Sequence, residues 1–138
     1  GRCKVCDFGM SRILSMGEQD YTPHSPQWMA PEVLRGEPYN FSADVFSFGV
    51  VLWELATLRL PWDGLEQLTV MHAVGDEGRT LTYEGDPVDD GLAPPPKFIE
   101  LMSKCMSPNP DDRPTFMEVA SKLERIYKEC KTAERALP

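Results

Sequence analysis

Apolar residues are densest between Ser42 and Leu58. In SADVFSFGVVLWELATL, residues such as Val45, Phe46, Val50, Val51, Leu52, Trp53 and Leu55 point to every side of a helix, where a surface helix shows one stripe. The pattern predicts a pillar enclosed by neighbours on all sides, with Val51 and Leu55 buried and Ser42 as the N-cap. It does not predict a membrane span. Asp44, Ser47 and Glu54 interrupt a run already shorter than the roughly 20 residues a bilayer needs. Gly49 sits mid-helix, where glycine costs about 1 kcal/mol against alanine, so a close backbone approach is expected there. Asp44, in the first turn, either complements the helix dipole at the surface or is a buried acid holding another segment's amides.

The flanking pattern adds shorter elements. Arg2 to Cys6 is β-prone and runs into Asp7-Phe8-Gly9, which places a carboxylate at a strand end beside a hinge. Met10 to Trp28 has no periodicity but carries Ser11, Ser15, Tyr21, Thr22 and Ser25, a long loop that phosphorylation could reshape. Pro31 opens a short helix that Gly36 stops. Leu65 to Val74 predicts a modest helix packed through Leu65, Leu68 and Met71. Gly75 to Pro96 is irregular, with acids from Asp86 to Asp90, and is expected as a surface loop. Phe98, Leu101, Met102 and Cys105 mark an amphipathic helix, with Met102 and Met106 as core filler. After a turn at Asn109 to Pro114, Thr115 and Glu118 form a capping box ahead of Phe116, Val119, Leu123 and Ile126. That helix is expected to end near Cys130, before a polar tail at 131–138. The fold class is mainly α, a helical bundle with a short strand and a long loop at its front.

Composition narrows the partners. The chain has 138 residues, 41% hydrophobic and 26% charged, enough for one domain or half of a larger one. A net charge of −8 disfavours nucleic acid and anionic membranes. No signal peptide or lipidation signal is visible, and a start at Gly1 without Met is expected of a piece of something longer. Cys3 and Cys6 form a C-x-x-C with no second pair to complete a zinc site, and on a strand they face opposite ways. Cys105 and Cys130 fall on apolar helix faces. All four are expected as reduced structural thiols of a cytoplasmic protein.

In register, four motifs resemble the C-terminal lobe of a eukaryotic protein kinase, which places the chain in the helical part of that α+β fold at 1–130. Asp7-Phe8-Gly9 is similar to the metal-binding DFG, and Met29-Ala30-Pro31-Glu32 to the end of the activation segment. Asp44 matches the acid opening the buried F helix, and Arg113 in Asp-Asp-Arg-Pro-Thr-Phe matches the arginine before the last helix. The resemblance implies Mg²⁺ and ATP in the complete domain, with Asp7 as metal ligand. It also implies that Phe8 packs inward, Gly9 gives hinge freedom, and Glu32 and Arg113 form a buried ion pair. Asp44 would accept amides of the catalytic loop, and Thr22 and Ser25 would lie in the activation segment. Protein substrates, the N-lobe and an upstream kinase acting at Thr22-Pro23 would be the partners.

The wording SADVFSFGVVLWEL is similar to the tyrosine-kinase-like group, and Ser25 falls where Ser/Thr kinases carry threonine, so Ser/Thr specificity is expected. A tyrosine-specific fragment remains open, since DFGMSR suits one equally. So does a non-catalytic pseudokinase module docking through helices around Leu65 and Leu123. Some residues depart from the family pattern. His24 replaces a usual glycine, and Phe46 and Met106 stand where larger aromatic residues are common. No glycine-rich loop, β3 lysine, αC glutamate or HRD string occurs in the sequence, so the isolated chain is expected to be inactive and to leave apolar surface open.

Overall fold

The computed structural model describes residues 3–8, 25–85 and 93–135. The chain runs through a 3₁₀ turn at Pro26–Trp28, α1 at Pro31–Leu34, α2 at Ser42–Thr57 and α3 at Gln67–Met71. A π-helical turn at His72–Asp76 continues α3, and α4 at Pro96–Cys105, a 3₁₀ turn at Pro110–Asp112 and α5 at Phe116–Arg135 complete the order. The architecture is mainly α.

The core forms where α2 crosses α4, and Gly49 makes the crossing possible. A Cβ at Gly49 would lie 2.7 Å from Met106 Cγ and 2.8 Å from Cys105 Cβ. Met102, Cys105 and Met106 are fully buried against this contact, so the methionines do fill the core. Val119 and Ile126 of α5 close the cluster. The start of α5 is a reciprocal capping box: Thr115 N donates to Glu118 Oε2 at 2.8 Å, and Glu118 N to Thr115 Oγ1 at 3.3 Å.

Several expectations are corrected. α2 is not enclosed on all sides: Val51, Leu55 and Leu58 are 39%, 65% and 71% exposed. Its described neighbours, chiefly α4 and the two 3₁₀ turns, pack along one side, and no described element covers this stripe. Ser42 is not the cap. Phe41 already has helical dihedrals, so the capping side chain lies one residue earlier, where Asn40 Oδ1 accepts Ser42 N at 2.8 Å. Ser42 Oγ is buried without a hydrogen-bond partner.

α3 is rotated from its expected phase. Val70, Ala73 and Val74 are buried, whereas Leu65 and Leu68 are exposed. Both sets have helical spacing, and the Pro26–Trp28 turn packed on α3 and α1 packed on the π-helical turn decide which one faces inward. Cys3 to Asp7 forms no strand, because strand structure needs a paired ladder and no described segment lies alongside. α5 runs through Arg135 rather than ending near Cys130. The i,i+4 pair Glu124–Lys128 at 2.7 Å and Lys131 over the Tyr127 ring carry the helix onward. The irregular stretch after Gly75 is partly anchored, since Trp53 Nε1 donates to Thr82 O at 2.9 Å. Residues 86–92 lie outside the described residues.

Candidate functional site

Pro31 at the first position of α1 presets its backbone and leaves Glu32 in the first turn. Arg113 leaves the Pro110–Asp112 turn in an extended conformation that sends its side chain inward. The two side chains meet as a fork, with Nη1 2.6 Å from Oε1 and Nη2 2.8 Å from Oε2. Their side-chain exposures are 0% for Arg113 and 4% for Glu32. The remaining guanidinium N–H groups donate to Ser107 O, Ser42 O and Pro108 O at 2.7, 3.1 and 3.2 Å. All five donors are therefore used, which is what makes burial of this charge tolerable. The Phe46 ring centroid lies 5.1 Å from the guanidinium carbon, so phenylalanine serves at this position as a cation–π partner.

A second tie fixes the segment just before Glu32. Trp28 Nε1 donates to Glu54 Oε2 on α2 at 2.9 Å. Upstream, Ser25 adopts the left-handed conformation (φ 59°, ψ 59°), is exposed, and caps the 3₁₀ turn through its backbone. At the far end of α1, Arg35 grips both Glu37 oxygens at 2.7 Å and donates to Gly75 O at 2.7 Å, docking α1 onto the π-helical turn. The Arg35 hydrogen bonds hold Glu37 below the usual carboxylate range.

Other expected site residues are placed less centrally. Asp7 is exposed with φ 61°, a left-handed conformation that aspartate tolerates. Phe8 does not pack inward: it is 67% exposed, because no described residue forms a pocket for its ring. Asp44 is exposed in the first turn of α2, where its carboxylate complements the helix dipole. Gly9, Thr22, Ser15, Tyr21 and His24 lie outside the described residues. His72 sits on the surface beside Asp76 and Glu77. Among the described residues no group of three or more His, Cys, Asp or Glu could hold a metal ion. Of the cysteines, Cys3 and Cys6 are exposed, while burial pushes the Cys105 thiol up to about 11.

The family model described as protein tyrosine and serine/threonine kinase matches residues 1–123. The chain is 42% identical over 127 residues to "Probable serine/threonine-protein kinase SIS8" of Arabidopsis thaliana, covering 91% of this chain and 12% of that protein. It is 41% identical over 125 residues to "Probable serine/threonine-protein kinase drkA" of Dictyostelium discoideum, covering 91% and 18%. "Dual specificity protein kinase shkA" of the same organism is 39% identical over 132 residues, covering 92% and 24%. The chain belongs to the protein tyrosine and serine/threonine kinase family. It spans only a quarter or less of the length of these three relatives.

An acid interrupting an otherwise apolar helix signals that Glu54 needs a partner, but nothing in the sequence identifies that partner as Trp28. Asn40 is itself a favoured capping residue type, but that it rather than Ser42 caps α2 depends on where Phe41 turns helical.

Proposed function

We propose that this chain is the substrate-side part of a kinase domain whose parent transfers the ATP γ-phosphate to Ser or Thr of protein substrates. The observation that carries it is the Glu32–Arg113 fork, which joins two motif residues 81 positions apart in one buried pair. That pair ties the end of the activation segment to the helical base, so a peptide approaching Ser25 meets a fixed shelf. Phosphoryl transfer is governed by positioning and charge neutralisation, and a rigid shelf supplies positioning.

Asp7 would hold Mg²⁺ through a carboxylate oxygen, a hard donor for a hard cation, and its exposure leaves that oxygen free to do so. It is a single ligand, so further donors must come from outside the described residues. When bound, the metal neutralises charge on the transferring phosphate of ATP. Asp44, exposed at the head of α2, would accept amides of a catalytic loop. Gly9 would give the backbone behind Phe8 room to change. Thr22 and Ser25 are the proposed regulatory positions, with an upstream kinase as partner.

The 138 residues contain no HRD string, so the general base belongs to the longer protein and the chain alone is inactive. No helix among the described residues is long and apolar enough to cross a membrane. The free, unbridged cysteines support a cytoplasmic parent. The acidic charge argues against nucleic acid as a partner. Phosphoamino-acid analysis of peptides treated with the parent kinase, ATP and Mg²⁺ tests the reading. Phosphoserine and phosphothreonine support it, and phosphotyrosine alone overturns the specificity. A mixture of all three favours the second reading, dual specificity, which the name of shkA motivates. No transfer favours a non-catalytic docking module.

A further inference from the structure

We propose that Glu54 is a positioning residue for the substrate shelf, acting through Trp28; this deepens the kinase reading and rests on it. Glu54 lies in the C-terminal half of α2, half-buried, where an unpaired carboxylate would be costly. Its Oε2 instead accepts the Trp28 indole N–H at 2.9 Å across 26 residues of sequence. Trp28 closes the 3₁₀ turn that begins after Ser25, with Trp28 N donating to Ser25 O at 3.3 Å and Met29 N to Pro26 O at 3.2 Å.

The shelf is therefore tied to the helical base twice. Glu32 is clamped by Arg113, and Trp28 by Glu54, with only Met29, Ala30 and Pro31 between them. One tie fixes a segment's location but leaves it free to pivot. The second removes the pivot, and through the hydrogen-bonded 3₁₀ turn it also sets the direction in which Ser25 and its left-handed backbone present themselves. A small misorientation of this kind weakens substrate placement without touching the nucleotide.

The test has two arms. In the 138-residue chain, the Trp28 indole N–H resonance, assigned by its loss in Trp28→Phe, is expected to shift upfield in Glu54→Ala as the carboxylate acceptor is removed. In the parent kinase, Glu54→Ala is expected to raise KM for a protein substrate about tenfold, a factor worth roughly 1.4 kcal/mol. The kcat and the KM for ATP should stay within about twofold if only substrate placement is lost. Glu54→Gln, which keeps a neutral acceptor, should fall between wild type and Glu54→Ala. An unshifted indole resonance overturns the tie. A kinase indifferent to Glu54→Ala overturns the role, and so does a parallel loss of kcat, ATP affinity and thermal midpoint, which marks a merely structural contact. A wild-type parent that transfers no phosphate overturns the kinase reading and the shelf role with it, a result distinct from an active kinase that ignores the substitution.

Discussion

Arg113 and Glu32 share two hydrogen bonds of 2.6 and 2.8 Å, and the guanidinium has no donor left over. Removing one side strands the other charge in a site with almost no solvent. Arg113→Ala is therefore expected to destabilise the chain by about 3–5 kcal/mol, with Glu32→Ala costing a similar amount. Urea unfolding followed by circular dichroism measures both. A loss under about 1 kcal/mol for either variant would show that water replaces the missing partner.

Gly49 sets two effects against each other. Alanine there would gain about 1 kcal/mol of helix propensity. Its Cβ would also stand 2.8 Å from Cys105 Cβ and 3.2 Å from the Cys105 carbonyl carbon, atoms that move only if α4 moves. Overpacking of this kind typically costs about 1–3 kcal/mol, so Gly49→Ala is expected to be destabilising on balance. A raised urea midpoint would mean that α2 and α4 separate more easily than their packing implies.

The cap of α2 belongs to Asn40. Asn40→Ala should cost about 1 kcal/mol by releasing the Ser42 amide. Ser42→Ala should be neutral or stabilising, since it removes a buried hydroxyl that has no partner. Thermal melts of the two variants distinguish this assignment from its reverse.

Cys105 stays protonated well into the alkaline range because burial disfavours its thiolate. Native chain at pH 8 should take up iodoacetamide at exposed Cys3 and Cys6 but not at Cys105 until urea is added, as read by peptide mass spectrometry. The folded pKa of about 11 lies above the ordinary 9.0, so the unfolded thiol releases its proton first as pH rises. Stability from this group is complete below about pH 9 and is lost as pH climbs through 11. The fall should be shallower in Cys105→Ala, which isolates the thiol from other alkaline titrations.

Glu118 is held below the ordinary 4.5 by the Thr115 backbone N–H and then by the Thr115 hydroxyl. A depressed carboxylate stabilises the fold above pH 4.5 and ceases to do so as pH falls through its folded value. Thr115→Ala should lower stability at pH 7 by about 1 kcal/mol. The gap between variant and wild type should narrow at pH 3. Urea midpoints at the two pH values check the sign.

Much of the helical framework was readable locally. Phe98, Leu101, Met102 and Cys105 mark α4 within two turns of chain, and Thr115 and Glu118 cap α5 with residues three apart. Gly49 announced a close approach because glycine has no other reason to sit inside α2. The phase of α3 was not readable in the same way, since Leu65 and Leu68 form as good a stripe as Val70 and Val74. The Trp28–Glu54 tie was equally hidden, because neither residue's neighbours in sequence identify the other.

What the sequence by itself determined is the set of helices and the family, since periodicity, caps and short motifs are local and each can be read in a few residues. Tertiary structure alone decided that Val51 and Leu55 face outward and that Glu54 meets Trp28. It also decided that Arg113 uses every donor in a buried fork. The physical reason is that burial and pairing depend on which distant segments compaction brings together, and one stretch of chain carries no record of its neighbours in space.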